Sequence, residues 1–250
     1  MKYTVIIFML IGLLENTKAQ QLFIPNGQIT FEKKINMQRS MADWDIPEEA
    51  KDNMQKYNIS TWELYFNNTT SLYKQKKKEN ENSGNIFSFS LENTNELYAN
   101  YSESKRILKK SFFNDTYLIN DTIPRLNWKI MHDLRTIAGY ECRKAIGVIN
   151  DTVYVVAFYT DEILLKGGPE GFSGLPGMIL GLAIPRYNTT WFATKVDAFA
   201  STERDLKIPT AKKTDTEKEL KKIMDIFNRF NQVPKLKPED IMRQIYGFIL

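Results

Sequence analysis

Thr136 to Thr160, TIAGYECRKAIGVINDTVYVVAFYT, decides how this chain folds. Two runs dense in β-branched and aromatic residues flank Asn150-Asp151, a turn-tolerant pair. With LNWKIMHDL (Leu126–Leu134) upstream they read as a meander of long strands. Thr152 to Tyr159 is apolar on both faces, the pattern of a strand covered on each side. No helix-length segment separates these runs, so the sheet reads as antiparallel and not as βαβ units.

The same texture extends outward. QLFIPNGQITFEKK (21–34) carries an Asn26-Gly27 turn signal before an alternating strand. STWELYF (60–66), SLYKQKK (71–77), NIFSFSL (85–91), NELYANYS (95–102), SKRILKKSFF (104–113) and TYLIND (116–121) are short and bounded by Asn, Asp or Ser. TTWFATKVDAF (189–199) adds one more. Asn-Asp-Thr recurs at 114–116, 120–122 and 150–152 and reads as strand connections. These triplets also match the N-glycosylation acceptor pattern, as do Asn58, Asn67, Asn68, Asn100 and Asn188.

Helical signals lie at two places. Asp45 caps a short helix over 46–57, with Glu48 three residues on and Ile46, Ala50 and Met54 on one face. Near the C-terminus, Thr216 and Glu219 form a capping box before Leu220, Ile223, Met224, Phe227 and Phe230 at helical spacing. That gives a helix over 215–231, and a second starts near Pro238 with Ile241, Ile245 and Phe248 on one side. The expectation is a mainly β chain with helices (α+β): a strongly curved antiparallel sheet or partly open barrel, with a helical extension from about 213.

The ends and the composition set the compartment. Lys2 precedes an apolar run from Thr4 to Leu14, and Thr17 and Ala19 offer small residues before a cut at Ala19/Gln20. That is the pattern of a signal peptide over 1–19, too short to span a bilayer. Residues 20–250 then read as one exported domain, because no Pro/Ser/Gly-rich linker divides them, and with no later transmembrane span, because no second apolar run is long enough. The formal net charge is +4 and well mixed. Its one local excess, KQKKKE (74–79), reads as a solvated hairpin tip. A nucleic-acid reader needs a basic stripe with interleaved aromatics, which is missing. The single cysteine, Cys142, excludes an internal disulfide, so stability must come from the core.

Catalytic templates fail in turn. GFSGL (171–175) opens like a nucleophile elbow but has Leu175 where its last glycine is needed. His132, the only histidine, is ten residues from Cys142 on what reads as one strand region, too far for a Cys–His pair unless a turn intervenes. Asp161 and Glu162 are adjacent and point to opposite faces if extended. No zinc, P-loop or dinucleotide motif occurs, and nothing in the sequence asks for a cofactor. A soft-metal site of Met and Cys would have to be assembled by the fold.

What remains is FSGLPGMILGLAIPR (172–186). Six of the twelve glycines, at 167, 168, 171, 174, 177 and 181, fall in or just before it. Gly allows backbone conformations closed to other residues, and Pro176 fixes its own φ while holding Leu175 extended. A rigid apolar loop of this kind plugs the end of a barrel or lines its mouth, or else makes an anion-binding nest near Lys166. The candidate binding residues are Phe172, Gly174, Leu175, Pro176, Gly177, Met178 and Tyr159.

SGLPGMI resembles the motif that names the GLPGLI family of exported Bacteroidetes proteins. The resemblance continues upstream through GYECRKAIG (139–147), VYVVAFYTDEI (153–163) and GGPEGF (167–172), so it covers roughly 125–200. Met178 stands where Leu is usual, and Gly181 replaces an acidic residue common there. The resemblance implies export to the periplasm or envelope, often near outer-membrane transport, and carries over no catalytic residue. The reading is a binding or assembly module without catalytic activity. Its partner would be an apolar small molecule or lipid, or an envelope or outer-membrane transport protein. A periplasmic enzyme or a copper-type soft-metal protein is the alternative.

Overall fold

The computed structural model describes residues 23–40, 55–76, 95–112, 115–149, 152–200 and 205–210. Its eleven strands are β1 (Gly27–Asn36), β2 (Tyr57–Phe66), β3 (Thr70–Gln75), β4 (Glu96–Asn100), β5 (Lys105–Phe112), β6 (Asp115–Thr122), β7 (Lys129–Ile137), β8 (Tyr140–Ile149), β9 (Val153–Thr160), β10 (Met178–Ile184) and β11 (Thr189–Ala198). They form one sheet in the order β6-β5-β4-β3-β2-β1-β11-β10-β9-β8-β7. Every ladder is antiparallel. Each strand pairs with its sequence neighbour except along the β1–β11 seam, which joins two meanders. β6 and β7 are the open edges, so the sheet is not closed.

The period-2 pattern is what selects the inner face. Ile29 and Phe31 on β1 lie opposite Leu64 and Trp62 on β2, and Leu64 lies opposite Tyr73 on β3. On the other side of the seam, Lys33 faces Trp191, Trp191 faces Leu182, and Leu182 faces Ala157. These residues are buried in one core, with Lys33 at its margin. The β7–β8 hairpin, turned at Ala138 and Gly139, curls back over the outer face. There the Arg135 guanidinium comes within 4.7 Å of the Phe192 ring, three strands away from β8.

The β-rich reading holds for the described residues, whose one α-helix is α1 (Met37–Ser40). The expected helix over 46–57 cannot run to its end, because Tyr57 already opens β2 and its backbone neighbour Lys56 accepts a bond from Met37. Residues 46–54 of that helix, the helices over 215–231 and from Pro238, and the strand NIFSFSL lie outside the described residues, as does the signal segment. Asn120–Thr122 is the end of β6 and not a connection. Gly27 begins β1 instead of a turn.

The glycine-rich stretch is divided in a way the sequence reading did not foresee. Its second part, Met178–Ile184, is β10, a strand buried on both faces. Gly181 and the following Pro185 disguised it. A side chain at Gly181 would collide at 2.8 Å with both Ile137 and Phe192, where the curled hairpin rests on the sheet. Only the part up to Gly177 is a loop.

Candidate functional site

That loop, Asp161–Gly177, is a strap across the inner face. It leaves β9, and Ile163 makes a short parallel bridge to Ile24. A tight turn over Pro169–Gly171 follows, closed by the Phe172 N–H donating to Pro169 O at 3.1 Å. The Ile179 N–H donates to Gly167 O at 2.8 Å, so the strap is also tied to the start of β10.

Three polar fixtures pin it to the sheet. At one side the Trp128 indole donates to Ser173 O at 2.8 Å. At the other, the Tyr101 hydroxyl is hydrogen-bonded to the Gly168 backbone and shares a 3.2 Å hydrogen bond with Ser71, and its position fills the space a side chain at Gly167 would need. Burial raises the Tyr101 pKa. In the middle, Glu170 Oε1 accepts from Lys33 Nζ at 2.8 Å and from Trp191 Nε1 at 3.1 Å. The Lys33 ammonium lies 5.3 Å from the Trp62 ring and 5.1 Å from the Trp191 ring. Trp62 in turn stacks on Tyr73 at 4.9 Å. The Tyr73 hydroxyl is buried beside this pair, and desolvation, reinforced by the Glu170 charge, pushes its pKa well up.

Glu170 reaches this position with φ at +55°, a left-handed backbone that a side chain disfavours by about 1–2 kcal/mol. The charge-assisted bonds to Lys33 and Trp191 offset that strain. Gly174 has φ at +96°, which glycine adopts freely. Gly177 is required for a different reason: a side chain there would run into the carbonyl of Thr160, at the end of β9.

The strap's apolar side chains mostly point inward, with Leu164 the exception at 47 % exposed. Phe172 is 0 % exposed and Leu175 1 %, and Met178, where β10 begins, is 0 % exposed. Tyr159, paired with Ile179 and Arg143, is buried as well. Of the seven candidate residues only Gly174 and Pro176 face solvent. The loop's Phe172 and Leu175 are packed in the core against the sheet.

The sequence reading missed Lys33, Glu170, Trp191, Trp62 and Tyr73 as a set. Two signals were available. Lys33 continues the inward register of Ile29 and Phe31, and Glu170 is the only charged residue between Lys166 and Arg186.

The chemistry here is fixation. His132 is exposed in the irregular middle of β7. A turn does intervene between His132 and Cys142, since β7 and β8 are a hairpin, but Cys142 lies opposite Arg135. Burial pushes the Cys142 thiol up to about 12, which keeps it protonated and a poor nucleophile or ligand. Asp161 is exposed just past β9. No group of three or more His, Cys, Asp or Glu able to hold a metal ion occurs among the described residues. None of their helices is long and apolar enough to cross a membrane.

Comparison with known proteins gives a family and a fold. The family model described as "N-glycanase peptide, N-terminal domain" matches residues 54–222. No curated protein matches. Among solved structures, PNGF-II in its P21 crystal form is 16 % identical with a TM-score of 0.54, over 80 % of this chain and 33 % of that one. In the C2 form the values are 16 %, 0.52, 79 % and 32 %. This chain therefore spans about a third of the length of PNGF-II. The MucA/MucB complex of Pseudomonas aeruginosa is 8 % identical with a TM-score of 0.37, over 74 % of this chain and 56 % of that one. At 16 % identity, what this chain shares with PNGF-II is the fold.

Proposed function

Because the chain belongs to the family of the N-glycanase peptide N-terminal domain, we propose that it is a non-catalytic binding or assembly module that works through its outer surfaces. One observation carries this reading: the inner face of the sheet is covered by the chain's own strap. Leu175 and Phe172 are buried there, and Lys33 and Glu170 satisfy one another. A surface-docked protein partner in the cell envelope suits this arrangement better than an apolar molecule or lipid held inside. We also propose export with loss of residues 1–19, and membership of the GLPGLI-type proteins on the residues quoted above.

The test is affinity purification of the tagged chain from envelope material, with mass spectrometry of both co-purified proteins and extracted lipids. The reading expects a stoichiometric protein and no stoichiometric lipid. A lipid retained at one per chain would overturn it. His132→Ala, Cys142→Ala and Asp161→Ala should each preserve binding; loss in a folded variant would favour the enzyme.

The family's name supports a second reading, in which the partner is a glycan-bearing polypeptide. Capture of a glycoprotein that fails after its glycans are removed would select it.

A further inference from the structure

Lys33 and Trp191 stand directly opposite one another across the β1–β11 seam, and Trp62 on β2 lies opposite Phe31 in the same inward row. Strand pairing alone therefore assembles a cation, an indole donor and an aromatic wall. The ammonium lies between two ring systems, 5.3 Å from Trp62 and 5.1 Å from Trp191. The anion that meets it comes from elsewhere in the chain. Glu170 is carried in by the three-residue turn Pro169–Gly171, on a left-handed backbone that its side chain disfavours. Both bonds it accepts, from Lys33 and from Trp191, fall on one oxygen, Oε1. The Lys33 and Glu170 side chains are 14 % and 17 % exposed, so solvent reaches the pair at the margin of the core.

We propose that Lys33, Trp191 and Trp62 form a carboxylate-binding site that Glu170 fills in cis, and that a short external carboxylate can take its place. Three features carry this. The donors are held by the sheet and not by the strap, so the site persists when Glu170 leaves it. The resident carboxylate sits on a strained backbone, so its departure relieves a cost that an external carboxylate never meets. The rest of the strap has anchors of its own, the Trp128 indole on Ser173 O and the Ile179 N–H on Gly167 O. Exchange therefore uncouples the Pro169–Gly171 turn from β1 and leaves Phe172 and Leu175 in the core.

The test uses the full-length chain and propionate, which restores the ethylene and carboxylate that Glu170→Gly removes. At constant ionic strength, propionate should move the Trp191 indole N–H resonance of Glu170→Gly saturably and raise its urea midpoint; chloride should do neither. Lys33→Met combined with Glu170→Gly removes both charges, should fold, and should not respond. The unsubstituted chain should need at least about 10-fold more propionate, because its tethered carboxylate competes at high effective concentration. If Glu170→Gly does not stay folded in chloride, its refolding yield from urea should rise in propionate. No saturable response and no gain in refolding yield, or an equal response in the doubly substituted chain, would overturn the proposal. So would an unsubstituted chain whose indole signal stays fixed at about 100-fold the variant's midpoint.

Discussion

Glu170 Oε1 and Lys33 Nζ are 2.8 Å apart, and this pair couples the centre of the strap to the strand that begins the sheet. Both side chains are mostly buried, so removing one leaves the other charged and uncompensated. Lys33→Met should destabilise the protein by about 2–4 kcal/mol in urea unfolding. A loss below about 0.5 kcal/mol would mean that the pair is ornamental.

The left-handed backbone at Glu170 separates two contributions. Glu170→Ala loses the carboxylate and keeps the strain; Glu170→Gly loses the carboxylate and relieves it. The glycine variant should be the more stable of the two by about 1 kcal/mol. The reverse order would show that φ at +55° costs nothing here.

Leu175→Asp places an unpaired carboxylate where Leu175 is 1 % exposed, and the variant should fail to accumulate as folded protein. Leu175→Ala should fold and lose about 2–4 kcal/mol. A Leu175→Asp protein with an unchanged Tm would sink the plug.

Gly174→Ala and Gly177→Ala differ in mechanism. The first meets only an unfavourable φ and should cost about 1–2 kcal/mol. The second also meets the Thr160 carbonyl, a backbone atom that cannot rotate away, and should be worse. Paired denaturation curves give the order directly.

Cys142, raised from 9.0 to about 12, predicts an alkaline limb in stability. A group whose folded pKa lies above its unfolded value contributes fully below the unfolded pKa. Its contribution is lost as pH rises from about 9 toward 12. Buried Tyr73 and partly buried Tyr101 are shifted the same way and add to the slope. Stability measured from pH 8 to 11 should fall, and Cys142→Ala should flatten its early part. A thiol that reacts quickly with Ellman's reagent at pH 8 in the native state would contradict this.

How far the sequence could be read depended on whether a residue's role was local. Strand alternation at Ile29/Phe31 and Val153–Thr160 is a local signal, and the β meanders followed from it. The strap's inward side chains were equally legible, because Phe172, Leu175 and Met178 have little use in water. Lys33, Glu170 and Trp191 meet only through the β1–β11 seam and the strap's crossing, which no short window contains. β10 was hidden because Gly181 looks like a breaker, while its real reason is a neighbouring hairpin far along the chain. The both-sided cover expected of β9 is met by the core on the inner face, while on the outer face Arg135 lies over Phe158 and Tyr154 is 64 % exposed.

The seam has a kinetic consequence. Within each meander every ladder joins sequence neighbours, so hairpins can form quickly and one by one. β1 and β11 join residues such as Thr30 and Thr194, 164 positions apart. Closing that loop costs chain entropy before any seam bond repays it. The strap belongs to the second meander, yet its anchors Lys33 and Tyr101 belong to the first. Seam closure and strap docking therefore share one late barrier. Lys33→Met should slow the crossing of that barrier and leave hairpin formation within either half unchanged.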